Sequence, residues 1–122
     1  MLALSLVLGL LIGNLTLKPL IARVRPYDAN PDFVLLIDRL SDYSFPSGHT
    51  LASFEAAAVL LMQYRAKAVP ALVLALLIAF SRLYLYVHYP SDVLAGALLG
   101  VAFACIARAA VRRMTARSRI EL

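Results

Sequence analysis

This chain of 122 residues has two histidines, His49 and His88, and each stands among residue types that phosphate chemistry requires. His49 follows Ser47 and Gly48 in "FPSGHT". His88 lies between Arg82 and Asp92 in "SRLYLYVHYPSD". A third polar cluster, "KPLIARVRP", holds Lys18, Arg23 and Arg25. Arginine donates to phosphate oxygens in a planar, bidentate fashion, and lysine adds a point charge. Ser47 and Gly48 precede the apolar run "LASFEAAAVLLM" and so read as a helix opening. The free N–H groups and dipole there favour an anion, and glycine permits close backbone approach. Two imidazoles can divide the labour. One, neutral, attacks phosphorus, so that transfer to water passes through a covalent phospho-histidine. Asp92, four residues after His88, would orient it as the carboxylate of a hydrolase triad does. The other imidazole protonates the leaving oxygen, a task that an ordinary pKa of about 6.5 suits. The cations would neutralise charge in the transition state.

The elements that must position these residues are apolar. Hydrophobic residues make up 62% of the chain and charged ones 16%, whereas soluble domains are roughly 45–50% apolar. Four apolar segments stand out, at 1–17, 50–64, 69–86 and 93–111. A spanning helix needs about 20 residues. The expected fold is therefore all-α: an integral membrane helical bundle with about four transmembrane helices, one domain over residues 1–122. The opening "MLALSLVLGLLIGNLTLKP" lacks a basic n-region and a small-x-small cleavage site, so it reads as a membrane helix rather than a signal peptide. The polar stretch 18–47 is a long loop whose apolar island "FVLLI" is expected to form a short interfacial helix. The single cysteine, Cys105, excludes an internal disulfide and a cysteine-based zinc site and reads as a small buried residue.

Charge orients the bundle. Arg65 and Lys67 join the second and third segments, and Arg108, Arg112, Arg113, Arg117 and Arg119 follow the fourth. Both groups fall on one side, which the positive-inside rule makes cytoplasmic. Lys18–Arg25, Ser47–His49 and Arg82–Asp92 then meet on the outer face. The net charge of +5 is accounted for by this topology and an anion site. No basic stripe on a soluble helix and no aromatic RNA-binding signature accompany it, so nucleic acid is not an expected partner. Gly9 and Gly13, and Gly96, Gly100 and Ala104, recur at spacing four, as close packing of membrane helices requires.

The three clusters together resemble the three-part signature of the type 2 phosphatidic acid phosphatase superfamily, which includes the vanadium haloperoxidases. "KPLIARVRP" matches K-x6-R-P, "PSGH" the second motif, and "SRLYLYVHYPSD" S-R-x5-H-x3-D. The resemblance implies that Lys18, Arg25 and Arg82 bind phosphate with Ser47 and the Gly48 backbone, that His49 protonates the leaving group, and that His88 is the nucleophile oriented by Asp92. It implies a metal-independent membrane phosphatase without a cofactor, acting on a lipid phosphate or diphosphate such as undecaprenyl diphosphate or phosphatidic acid. The site would face outward from the cell membrane. Membrane members usually carry about six helices, about two of them ahead of the first one here. The chain is accordingly expected to be N-terminally shortened, and a homo-oligomer is one way to complete it.

Blander roles compete at several positions. Arg23 and Arg39 lie outside the motif positions and read as solvated or headgroup contacts. Glu55, two turns into an apolar helix, would be costly in lipid, so either it faces the bundle below the site or the helix is displaced. Tyr84, Tyr86 and Tyr89 fit an interfacial aromatic belt. Ser81 with His88 and Asp92 mimics a serine-hydrolase set, but no nucleophile elbow surrounds it. The rival functions are an inactive membrane scaffold or lipid-binding truncation and, less favoured in so apolar a chain, a vanadium haloperoxidase.

Overall fold

Long apolar runs propagate as helix, and among residues 1–120, which the computed structural model describes, all regular structure is helical. The first rod begins as α1 (Leu2–Leu8), widens into a π-helix over Gly9–Leu17 and closes with the turn α2 (Lys18–Ile21). Ala22, in the left-handed region at φ 49°, ends it. The short α3 (Pro26–Ala29) follows, with proline at its first position, where a missing N–H costs nothing. Then come α4 (Gly48–Tyr64), a 3₁₀ turn over Arg65–Ala68, α5 (Val69–Tyr84) and the 31-residue α6 (Pro90–Ile120).

Three stretches are long and apolar enough to cross a membrane: Leu2–Ala29, Gly48–Tyr84 and Pro90–Ile120. The middle stretch folds back at Arg65, whose φ of 52° reverses the chain, so α4 and α5 form a hairpin. Each arm, of 17 and 16 residues, is about 25 Å long at 1.5 Å per residue. The four apolar segments of the sequence are thus four rods. The expected helix at "FVLLI" does not form: five residues without a cap cannot meet the cost of helix nucleation. Instead Phe33 stacks on Tyr86 with ring centroids 4.3 Å apart, while Val34 and Leu36 are exposed.

The packing is that of a membrane bundle. Most of the buried apolar residues on the long helices are small: Ala57, Ala58, Ala75, Ala79, Ala104 and Ala107. Large ones such as Val73, Leu74, Leu77 and Leu98 face outward. Without a hydrophobic drive between helices, close backbone approach and dispersion hold the seam. The glycines expected to pack do so. A Cβ at Gly100 would lie 2.6 Å from the Leu51 carbonyl oxygen, and one at Gly96 2.8 Å from that of Ser47, so α6 lies directly against α4. Gly9 and Gly13 let the first rod approach Leu51 in the same way. Glu55 faces the bundle, 1% exposed, and accepts a hydrogen bond from Ser5 Oγ at 3.2 Å. Cys105, expected to be buried, is exposed on α6.

Candidate active site

Every connection that carries a motif emerges at one end of the bundle: the exit from α2, the start of α4, the end of α5 and the start of α6. The far end carries Arg65 and Lys67 in the 3₁₀ turn. Lys18, Arg25, Gly48, His49 and His88 line one cavity of about 400 Å³, together with Asn14, Leu40, Asp42 and Ala52.

The start of α6 sets His88. Pro90 occupies the first helical position, and Asp92, two residues on, turns its Oδ2 back to the N–H of Tyr89 at 2.8 Å. This is the carboxylate half of a capping box, satisfying a donor that the helix start leaves unpaired. The same oxygen accepts from Ser44 Oγ and lies 3.6 Å from His88 Nδ1. Ser44 Oγ is itself 3.5 Å from Nδ1. Asp92 is fully buried. Acceptors on its Nδ1 side favour the His88 tautomer protonated there, with the Nε2 lone pair on the side of the cavity. Nε2 points toward Arg25, 3.3 Å from Nη1. Tyr86, at φ 58°, turns the chain to deliver Val87 and His88 inward. Such left-handed residues are held only where the surroundings over-determine them, often at functional sites. Burial pushes the His88 imidazole below its ordinary value; Asp92 opposes this and Arg25 reinforces it.

Arg25 is 2% exposed and is held by backbone. Its Nε donates to the Asp42 carbonyl at 2.9 Å, Nη1 to that of Val87 at 2.9 Å and Nη2 to that of Tyr43 at 3.3 Å. Lys18, also buried, reaches the cavity from α2. Ser47 is the N-cap of α4. Its Oγ lies 2.9 Å from Thr50 Oγ1, and its N–H donates to the Asp92 carbonyl at 3.1 Å, tying the start of α4 to that of α6. Its side chain is buried behind the cavity, leaving Gly48 and His49 at the surface of it. His49 is exposed. Arg82 does not line the cavity. Its Nε is buried without a partner among the described residues, and its charge is near enough to act on His49 and Arg25.

Four features escaped the sequence. Arg23 is not a solvated or headgroup contact: its Nη1 holds Asp92 Oδ1 at 2.8 Å and Ser91 Oγ at 2.6 Å, and its guanidinium stacks 4.1 Å over the Tyr89 ring. Tyr89 is thereby engaged, as Tyr86 is by Phe33, and of the expected aromatic belt only Tyr84 remains exposed. Ser44 donates to the Asp92 carboxylate. Asn14, one turn before Lys18, lines the cavity, its Oδ1 without a partner among the described residues. Asp42 bridges two cations, Lys18 through Oδ2 and Arg25 through Oδ1, the latter at 2.6 Å. Burial would raise the Asp42 carboxyl, but hydrogen bonds and charge from Lys18 and Arg25 outweigh it and hold it below its ordinary value. Ser81 donates to the Ile78 carbonyl at 2.6 Å, back along its own helix, and belongs to no triad.

A family model described as the PAP2 superfamily matches residues 1–116. An undecaprenyl-diphosphatase of Sulfolobus acidocaldarius is 39% identical over 101 residues, covering 81% of this chain and 48% of the relative. The crystal structure of a transmembrane PAP2-type phosphatidylglycerolphosphate phosphatase from Bacillus subtilis superposes with a TM-score of 0.75 at 30% identity, covering 92% of this chain and 58% of that one. That of Aquifex aeolicus LpxE does so with a TM-score of 0.78 at 34% identity, covering 86% and 63%. The chain spans about half the length of the curated relatives it matches.

Proposed function

The chain belongs to the PAP2 superfamily, and on that premise we propose that it is a membrane phosphatase that hydrolyses a lipid phosphate or diphosphate through a phospho-histidine. The observation that carries this reading is the single cavity that joins Lys18, Arg25, Gly48, His49 and His88, with Asp92 behind His88. Arg25, beside His88 Nε2, and Lys18 would hold the non-bridging oxygens, with the Gly48 N–H at the start of α4. Arg82, whose Nε has no partner among the described residues, would close on the same group.

Nε2 of His88 attacks phosphorus, forming a P–N bond as the P–O bond to the leaving group breaks. His49 gives its proton to the departing oxygen. Asp92 stabilises the charge that develops on the His88 ring. Water then attacks the phospho-histidine and loses its proton to His49. The P–N bond breaks and its electron pair returns to Nε2, so inorganic phosphate leaves and both histidines are restored.

The substrate class proposed is a phosphomonoester or diphosphate on an isoprenoid or glycerol lipid, such as undecaprenyl diphosphate or phosphatidic acid. The relatives named for such substrates support it. A multi-pass place in the cell membrane with the site on the extracytoplasmic face is supported by the seven basic residues opposite the site, Arg65, Lys67, Arg108, Arg112, Arg113, Arg117 and Arg119. The test is phosphate release from detergent-dispersed lipid diphosphate in the presence of a chelator. His88→Ala is expected to abolish turnover and phospho-enzyme formation, and His49→Ala to slow both formation and breakdown of the phospho-enzyme. Equal chelator-resistant activity in wild type and His88→Ala would remove His88 as nucleophile.

A further inference from the structure

We propose that Asp42 is an internal anion that occupies the phosphoryl position on Lys18 and Arg25 and must be displaced by the substrate headgroup. The inference rests on the phosphatase reading above and deepens it.

The geometry of the carboxylate carries the argument. Its two oxygens take different cations, Oδ2 the ammonium of Lys18 and Oδ1 the Nη2 of Arg25. Two non-bridging oxygens of a phosphoryl group would divide between the cations in the same way. Asp42 lines the cavity that also contains Gly48, His49 and His88. A phosphoryl group and this carboxylate therefore compete for one place.

Asp42 is not needed to fix Arg25. Three carbonyls, those of Asp42, Tyr43 and Val87, hold that guanidinium through the backbone. With the carboxylate turned away, Arg25 would stay where it is. The Asp42 backbone is likewise held from both sides. Tyr27 Oη accepts from the Leu40 N–H at 3.0 Å and donates to the Leu40 carbonyl at 3.2 Å, and the Ser44 N–H donates to the Arg23 carbonyl at 2.9 Å. Displacement is thus a rotation of one short side chain on an anchored loop. That side chain is 51% exposed, whereas its partners are 9% and 2% exposed. Water is open to the carboxylate and closed to the cations, so the anion is the exchangeable member.

A phosphoryl headgroup binds only where the carboxylate has turned away, so Asp42 weakens the binding of any such headgroup, monophosphate or diphosphate, by one common factor. Removing this competitor should tighten anion binding about tenfold, which corresponds to about 1.4 kcal/mol.

The experiment is calorimetric titration of the detergent-solubilised chain with inorganic phosphate, in wild type, Asp42→Asn and Asp42→Glu. Asp42→Ser replaces the asparagine variant if that variant is not folded by circular dichroism. The expected result is phosphate affinity about tenfold higher in Asp42→Asn and near wild type in Asp42→Glu. Unchanged or weaker phosphate binding in Asp42→Asn overturns the inference and leaves Asp42 a support for Lys18. Failure of both chains to bind phosphate overturns it as well. A wild type that binds phosphate yet hydrolyses no lipid phosphate fails the phosphatase reading instead, and the phosphate-affinity ratio of the two chains still decides the role of Asp42.

Discussion

Replacing Asp92 with asparagine tests how the site is built. The carboxylate has four neighbours: Ser44 Oγ, the Tyr89 N–H and His88 Nδ1 on one oxygen, and Arg23 Nη1 on the other. Asparagine has one acceptor oxygen. Turned toward the three donors around Oδ2, its NH₂ meets Arg23 Nη1 where an acceptor stood 2.8 Å away. Turned the other way, it faces the Tyr89 N–H and imposes the wrong tautomer on His88. The first orientation keeps more bonds but weakens each, because hydrogen bonds to a charged partner contribute about 1.5–3 kcal/mol against about 0.5–1.5 for neutral ones. The expected loss of stability is about 2–3 kcal/mol. The imidazolium that forms during attack also loses its counter-charge. In a serine protease triad the equivalent change lowers kcat about 10⁴-fold, and a fall of about 10²–10⁴-fold is expected here. Asp92 does not line the cavity, so KM should change little. The assay is initial-rate phosphate release from a detergent-dispersed isoprenoid diphosphate, with helix content and melting followed by circular dichroism. A folded Asp92→Asn chain with kcat within about threefold of wild type would refute the orienting role.

Two further outcomes follow from the same geometry. Gly100→Ala places a methyl 2.6 Å from the Leu51 carbonyl oxygen and 3.0 Å from the Glu55 nitrogen, both backbone atoms; it should cost about 1–3 kcal/mol, and an unchanged melting temperature would contradict the close seam. In the pH–rate profile, His88 must be neutral to attack; the neutral form is complete above its folded pKa and lost as pH falls through it. Because that pKa is depressed, the acid limb of kcat/KM attributable to His88 should have its midpoint below about 6.5; a His88 midpoint at or above that value would contradict the assignment.

Much of this site was legible because its chemistry depends on local spacing. Lys18 and Arg25, the Ser47–His49 helix opening, and His88 with Asp92 are short-range patterns, and the basic residues at the other end assign all three to one face. Small residues at spacing four announced the α4–α6 seam. What stayed hidden depends on where long-range loops meet. Asp42 is 24 residues from Lys18 and 17 from Arg25, and no periodicity links a loop carboxylate to a cation that distant. An acidic residue is also the type least expected in an anion site. Arg23 lies outside the motif positions, and only the fold shows that α2 ends so as to lay it across Tyr89 against Asp92. The "FVLLI" island carried enough apolar character for an interfacial helix, but its length decided against one and left Phe33 to stack on Tyr86. Asn14 lines the cavity from a π-helical segment, a local form that composition does not announce.

The contacts that close the site also impose an order of assembly. Arg23 reaches Asp92 across 69 positions, Arg25 reaches His88 across 63, and Ser44 reaches Asp92 across 48. Contacts so distant in sequence form late, after the intervening chain is in place, and synthesis delivers the N-terminal part first. Asp92 arrives on the last helix and completes both the cap of α6 and the support of His88. Arg23, Arg25 and Ser44 are therefore synthesised well before His88 and Asp92, the residues they reach. A nascent chain lacking α6 holds Lys18, Arg25, His49 and His88 but not the Asp92 carboxylate beside His88.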